Sequence, residues 1–306
     1  MKTKLLLFLL FVCCYSFGQK AITSEELVLQ NDSIILPGTL SYTKTGTPLI
    51  IWIHGSGNVD RNGNQLPVIK ANYIQQFREA INQEDLAFFS YDKRTASKEN
   101  MRFLSAVLFT DFVNDAKKVV QHFKKDPRFT KIILIGHSQG SLVAMLASEN
   151  TDGFISIAGP GESIDQTMIK QISKQNANLG TYAAKHFKEL KETGTIKTVN
   201  PFLMTVFAKQ NFAFLNSWAV FNPSEEIKKI KIPTLILQGT KDLQVVAEDA
   251  QQLHNSKSNA SLVYVENMNH VLKEITEDAD NLKSYYSAAY PLSKELIETI
   301  VAFIKK

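Results

Sequence analysis

The chain has 306 residues, 44% of them hydrophobic and 21% charged, proportions near globular averages that allow one large α/β domain with a substantial core. They exclude a disordered, collagen-like or coiled-coil protein. A formal net charge of +4, from 34 basic and 30 acidic side chains, is too small for a nucleic-acid footprint.

Lys2 and Lys4 precede an unbroken apolar run from Leu5 to Cys14, followed by Tyr15, Ser16, Phe17 and Gly18. A charged start, a short apolar stretch and small residues at 16 and 18 read as a secretory signal peptide over residues 1–18. The mature domain is then 19–306, and the protein is expected to be exported, periplasmic or secreted. The run is shorter than the roughly 20 residues that span a bilayer, so no stable membrane span is expected. Both cysteines, Cys13 and Cys14, fall inside this leader, so the mature chain has neither disulfide nor thiol nucleophile. Cleavage before either cysteine would give a lipoprotein, but Phe11-Val12 is a poor match to the small residues such sites prefer.

Glu26 to Gln30 and Ser33 to Tyr42 alternate in polarity around Asn31-Asp32 and read as an antiparallel hairpin. Short solid apolar runs follow: Pro48 to Ile53, Leu86 to Tyr91, Lys131 to Ile135, Gly153 to Ala158, Thr234 to Leu237 and Leu262 to Val265. Continuous hydrophobicity predicts strands buried on both faces of a parallel sheet. Between them lie helical stripes, such as Phe112, Val113, Ala116, Val119, Val120 and Phe123, and Leu296, Ile297, Ile300, Val301 and Ile304. The alternation predicts an α/β, mostly parallel, doubly wound sheet. One stretch, about 160–222, breaks it. It is helical in flavour and rich in aromatics, including Tyr182, Phe187, Phe202, Phe207, Phe212 and Trp218, and is expected as a cap inserted between two strands.

The run Lys131 to Ile135 leads directly into Gly136-His137-Ser138-Gln139-Gly140 and then an apolar helical segment. G-x-S-x-G between a buried strand and a helix is the context of a nucleophile elbow. The tight reversal strains the serine backbone and lifts Ser138 above the carboxyl edge of the sheet, where open α/β sheets bind ligands. A serine hydroxyl needs a base. Of His54, His122, His137, His186, His254 and His270, only His270 is expected in a short loop just past a strand end on that edge. His54 opens a glycine loop, the turn directs the His137 side chain elsewhere, and the others lie in helical stretches. Asp242, beyond the strand ending at Leu237, is the expected acid, a helix cap being its other reading. Glu162 and Asp165, after the preceding strand, are the rival acids. The oxyanion donors are expected to be the N–H of Gln139 and that of Ser56, with Gly57 next to it.

These tokens resemble the α/β-hydrolase superfamily and, within it, the capped bacterial esterase, thioesterase and serine-peptidase-like branch. They are the elbow at 136–140, Ile53-His54-Gly55-Ser56-Gly57, Gln238-Gly239-Thr240-Lys241-Asp242 and Asn267-Met268-Asn269-His270, in the Ser, Asp, His order of that family. Asp60 to Asn64 and Tyr91-Asp92-Lys93-Arg94 are similar to loops of one bacterial branch, although Thr95-Ala96-Ser97 replaces the glycines that usually follow. The resemblance spans nearly the whole mature chain and implies an α/β-hydrolase fold that hydrolyses small acyl esters. A peptidase or thioesterase using the same triad is the alternative, and a non-catalytic binding protein on this fold is the reading from another class. Asp92 and Arg94 read as a loop ion pair supporting the site. No metal-ligand spacing, P-loop lysine or dinucleotide fingerprint accompanies these residues, so no cofactor is expected. The sequence is silent on oligomeric state.

Overall fold

A computed structural model describes residues 20–104 and 106–306. The expected signal peptide, with Cys13 and Cys14, lies outside the described residues. Eight strands form one sheet: β1 (Thr23–Asn31), β2 (Ile34–Tyr42), β3 (Thr47–Ile53), β4 (Ala87–Tyr91), β5 (Phe129–His137), β6 (Gly153–Ile157), β7 (Thr234–Gly239) and β8 (Ser261–Val265). Their spatial order is β1-β2-β4-β3-β5-β6-β7-β8. β1 and β2 form the antiparallel hairpin, β2 runs against β4, and every later pairing is parallel.

Solid strands and striped helices explain the layering. On β3, Leu49, Ile51 and Ile53 face a core shared with α2 (Phe109–Phe123) and α3 (Gln139–Ala147). Ile50 and Trp52 face the opposite core, shared with α1 (Tyr73–Gln83) and the final helix (Lys294–Ile304). Burying both faces is what the uninterrupted apolar runs require. The α/β-hydrolase expectation holds, with each strand within about three residues of its predicted bounds.

Residues 160–222 contain α4 (Ile164–Gln175), α5 (Ala177–Thr193) and α6 (Phe212–Ala219). They enclose a third, smaller core of Ala183, Phe187, Leu190, Phe207, Phe212 and Leu215. Trp218 anchors this segment to the main body by stacking on Phe109, with ring centroids 5.3 Å apart.

Candidate active site

Ser138 is the hinge between β5 and α3. Its φ of 54° and ψ of −123° are strained for a residue with a side chain. Backbone bonds hold the turn: Ser138 N–H donates to Ile157 O at 2.9 Å, and Ser141 N–H donates to Ser138 O at 2.9 Å. The flanking glycines are sterically required. A Cβ on Gly136 would lie 2.3 Å from Gly140 O, and one on Gly140 would lie 2.3 Å from Ile53 O. Ser138 itself is half-buried, and the Gln139 N–H opens α3, where helix N–H groups lack intrahelical partners.

Two loops beyond β7 and β8 bring Asp242 and His270 together. Gly239 lets them pack backbone to backbone, since a Cβ there would sit 2.1 Å from Met268 O. His270 Nδ1 lies 2.8 Å from Asp242 Oδ2, with both side chains almost fully buried. The other carboxylate oxygen accepts from Gln244 N–H at 2.7 Å and Val245 N–H at 3.0 Å. Burial alone would raise the Asp242 pKa. His270 and the two backbone donors outweigh burial and hold it below the usual carboxylate range. With the carboxylate ionised, Nδ1 is the donor and Nε2 is left as the basic nitrogen. Asp242 forms a turn rather than a helix cap, because the next helix, α7 (Ala247–Ser256), starts later. The rival acids are engaged elsewhere: Glu162 pairs with Lys170 and Asp165 with Lys191.

The loop after β3 approaches the elbow from the other side. A Cβ on Gly55 would be 3.2 Å from Ser138 Cβ, and Ser56 and Gly57 are exposed at the rim. The Gly55 carbonyl accepts from Lys93 Nζ at 2.8 Å, and Gln139 Oε1 accepts from the same nitrogen at 2.7 Å. Lys93 is buried, and burial pushes its ammonium down to about 7.

The His137 ring turns away from Ser138, as expected; it stacks on Trp52 and meets the base loop, Nε2 lying 2.8 Å from His270 O. A carbonyl only accepts, so Nε2 carries the proton. Burial first, and the neighbouring His270 second, push His137 down to about 3, and it is neutral. Asn269 completes the bracing, donating from Nδ2 to Ser284 Oγ at 2.7 Å and Asn281 Oδ1 at 3.1 Å.

The expected Asp92–Arg94 pair does not form. Asp92 binds Arg61, with Nη2 to Oδ2 at 2.8 Å, and Arg94 binds Asp115 on α2 at 2.7 Å. Each brace fastens this loop to a different element. Lys93, between them, carried no weight in the sequence. Its only signal was a place immediately past a strand end on the ligand-binding edge.

A family model described as BD-FAE matches residues 35–256. Esterase EstD of Thermotoga maritima is 22% identical over 302 residues, covering 95% of this chain and 68% of that protein. The human monoglyceride lipase is 23% identical over 270 residues, covering 83% of this chain and 79% of the lipase. Among solved structures, Est1E from Butyrivibrio proteoclasticus with bound ferulic acid superposes with a TM-score of 0.59 at 20% identity, covering 92% of this chain and 100% of its own. The Pyrococcus furiosus esterase Pf2001 also gives 0.59, at 16% identity, covering 96% and 94%.

Proposed function

Because the chain belongs to the BD-FAE family and is a carboxylic ester hydrolase of the α/β-hydrolase fold, we propose that Ser138, His270 and Asp242 carry its chemistry. Ser138 Oγ attacks the acyl carbonyl while His270 Nε2 takes the hydroxyl proton. The N–H groups of Gln139 and Ser56, with Gly57 beside them, face the oxyanion. His270 then protonates the leaving alcohol, and the acyl group remains on Ser138 as an ester. Water, deprotonated by His270, releases the acid and restores the serine. Asp242 holds Nδ1–H throughout and stabilises the imidazolium.

The observation that carries this reading is the strained Ser138, held at φ 54° by two glycines that admit no side chain. Such strain persists only where the surrounding structure over-determines it, and it clusters at active sites. Small esters are the proposed substrates. The ferulic acid held by Est1E makes hydroxycinnamate esters one class worth measuring. The N-terminal Lys2, Lys4 and apolar run support an exported enzyme freed of residues 1–18.

The test is a screen of p-nitrophenyl esters of rising chain length, hydroxycinnamate esters, acetylated sugars and aminoacyl amides, with Ser138→Ala in parallel. Ester turnover that vanishes in Ser138→Ala is the expected result. Turnover confined to amides, or surviving the substitution, overturns the reading.

A further inference from the structure

Lys93 is a charge in the interior, and among the described residues no carboxylate pairs with it. Its three N–H directions are taken by Gly55 O at 2.8 Å, Gln139 Oε1 at 2.7 Å and the face of Phe112, whose centroid is 4.2 Å away. Asp115, which lines the same small cavity, is occupied by Arg94. The other titratable neighbours there are His54, pushed down to about 3 by burial and then by Lys93, and Tyr91, pushed up by burial. Neutral acceptors compensate a buried ammonium poorly, and a methionine of similar length would cost less to bury. Fold stability alone therefore does not explain this lysine.

What it touches does. The Gly55 carbonyl and the Ser56 N–H belong to one planar trans peptide, in which the two groups point in opposite directions. Fixing that carbonyl on the ammonium aims the Ser56 N–H away from it. The same ammonium pins the side chain of Gln139, whose backbone N–H opens α3. A positive charge on the carbonyl oxygen also polarises the peptide and makes its N–H a stronger donor.

We propose that Lys93 is the positioning residue of the oxyanion site, locking the Gly55–Ser56 peptide and the first residue of α3 through one ammonium so that both donors converge. This rests on the esterase reading of Ser138. Because burial lowers the Lys93 pKa to about 7, its charge, and with it the polarisation of the Gly55–Ser56 peptide, is lost as the pH rises through that value, while the neutral amine keeps two N–H donors for Gly55 O and Gln139 Oε1.

The experiment compares wild type with Lys93→Met, Gln139→Met and Ser138→Ala, using p-nitrophenyl ester kinetics and an aryl trifluoromethyl ketone that forms a hemiketal oxyanion. In Lys93→Met, kcat should fall about 10–100-fold with KM within about threefold, and the ketone should bind more weakly by a similar factor. The alkaline limb of the wild-type kcat profile should disappear. Unchanged kcat, a loss confined to KM, or a retained alkaline limb in a folded Lys93→Met overturns the proposal. If Lys93→Met does not fold, Gln139→Met decides. It should lower kcat about 3–10-fold and move the alkaline limb to lower pH, because the ammonium loses one acceptor; unchanged kcat and limb overturn the proposal. Turnover surviving in Ser138→Ala is a different outcome, since it removes the esterase reading itself.

Discussion

His137 donates a hydrogen bond from Nε2 to the carbonyl of His270 across 2.8 Å, although 133 positions separate them in the chain. The residue preceding the proposed nucleophile thus holds the backbone of the proposed base. His137→Phe keeps a ring on Trp52 but leaves that buried carbonyl unpaired. It should cost about 1–3 kcal/mol of stability and lower kcat/KM about tenfold. Urea unfolding and initial rates check both figures.

Asp242→Asn should leave the fold intact, because the amide is isosteric and its oxygen can still accept from Gln244 and Val245. It should nevertheless lower kcat by about 10⁴, since an amide can hold His270 in the wrong tautomer. Glu162→Gln and Asp165→Asn, whose partners are Lys170 and Lys191, should stay within about tenfold of wild type. The reverse pattern would place the acid after β6.

Gly140→Ala forces a Cβ to within 2.3 Å of Ile53 O and 2.5 Å of His54 O, both backbone atoms that cannot swing aside. The elbow must open to admit it. A loss of about 2–4 kcal/mol and of nearly all turnover is expected, measured by thermal melts and fluorophosphonate labelling at Ser138.

His54 and His137 are both held neutral by burial, each pushed from 6.5 to about 3. In the unfolded chain they titrate near their ordinary value. Below it the unfolded state binds more protons than the folded one, so stability is complete above about pH 6.5 and falls as the pH drops toward 3. The slope should be on the order of 1 kcal/mol per pH unit for each histidine. His54→Phe should remove about half of it. Equal stabilities at pH 7 and pH 5 in urea titrations would count against this.

On the proposal that the enzyme is exported with Ser16 and Gly18 as the small residues of a cleavage site, its mature form should begin near Gln19 and carry no lipid. Mass spectrometry that finds an acylated Cys13 or Cys14 at the N-terminus would replace this with an anchored enzyme.

The sheet was legible because burial on both faces leaves an unmistakable pattern, as in Leu49 to Ile53. The elbow was legible because a tight strand-to-helix reversal demands its glycines. The partners of Asp92 and Arg94 were not, because charges adjacent in sequence bind whichever opposite charge the tertiary fold delivers. Arg61 and Asp115 lie 31 and 21 positions away, on other elements. Lys93 was hidden for the same reason: flanked by an acid and an arginine, it reads as solvated loop, and only the fold removes it from water. The bond from His137 to His270 depends on a loop beyond β8 and leaves no local trace.

The placement of His270 has a consequence for how the enzyme fails. Its loop follows β8, a five-residue strand at the margin of the sheet that, among the described residues, pairs only with β7. Ser138 follows β5, paired on both sides. Marginal strands fray at a lower free energy than central ones. On warming, the base should therefore detach while the nucleophile still stands in place, and the ties from His137 and Asn269 set how early that happens. Activity should fade reversibly several degrees below the melting of the sheet, leaving a folded protein whose serine is intact and idle.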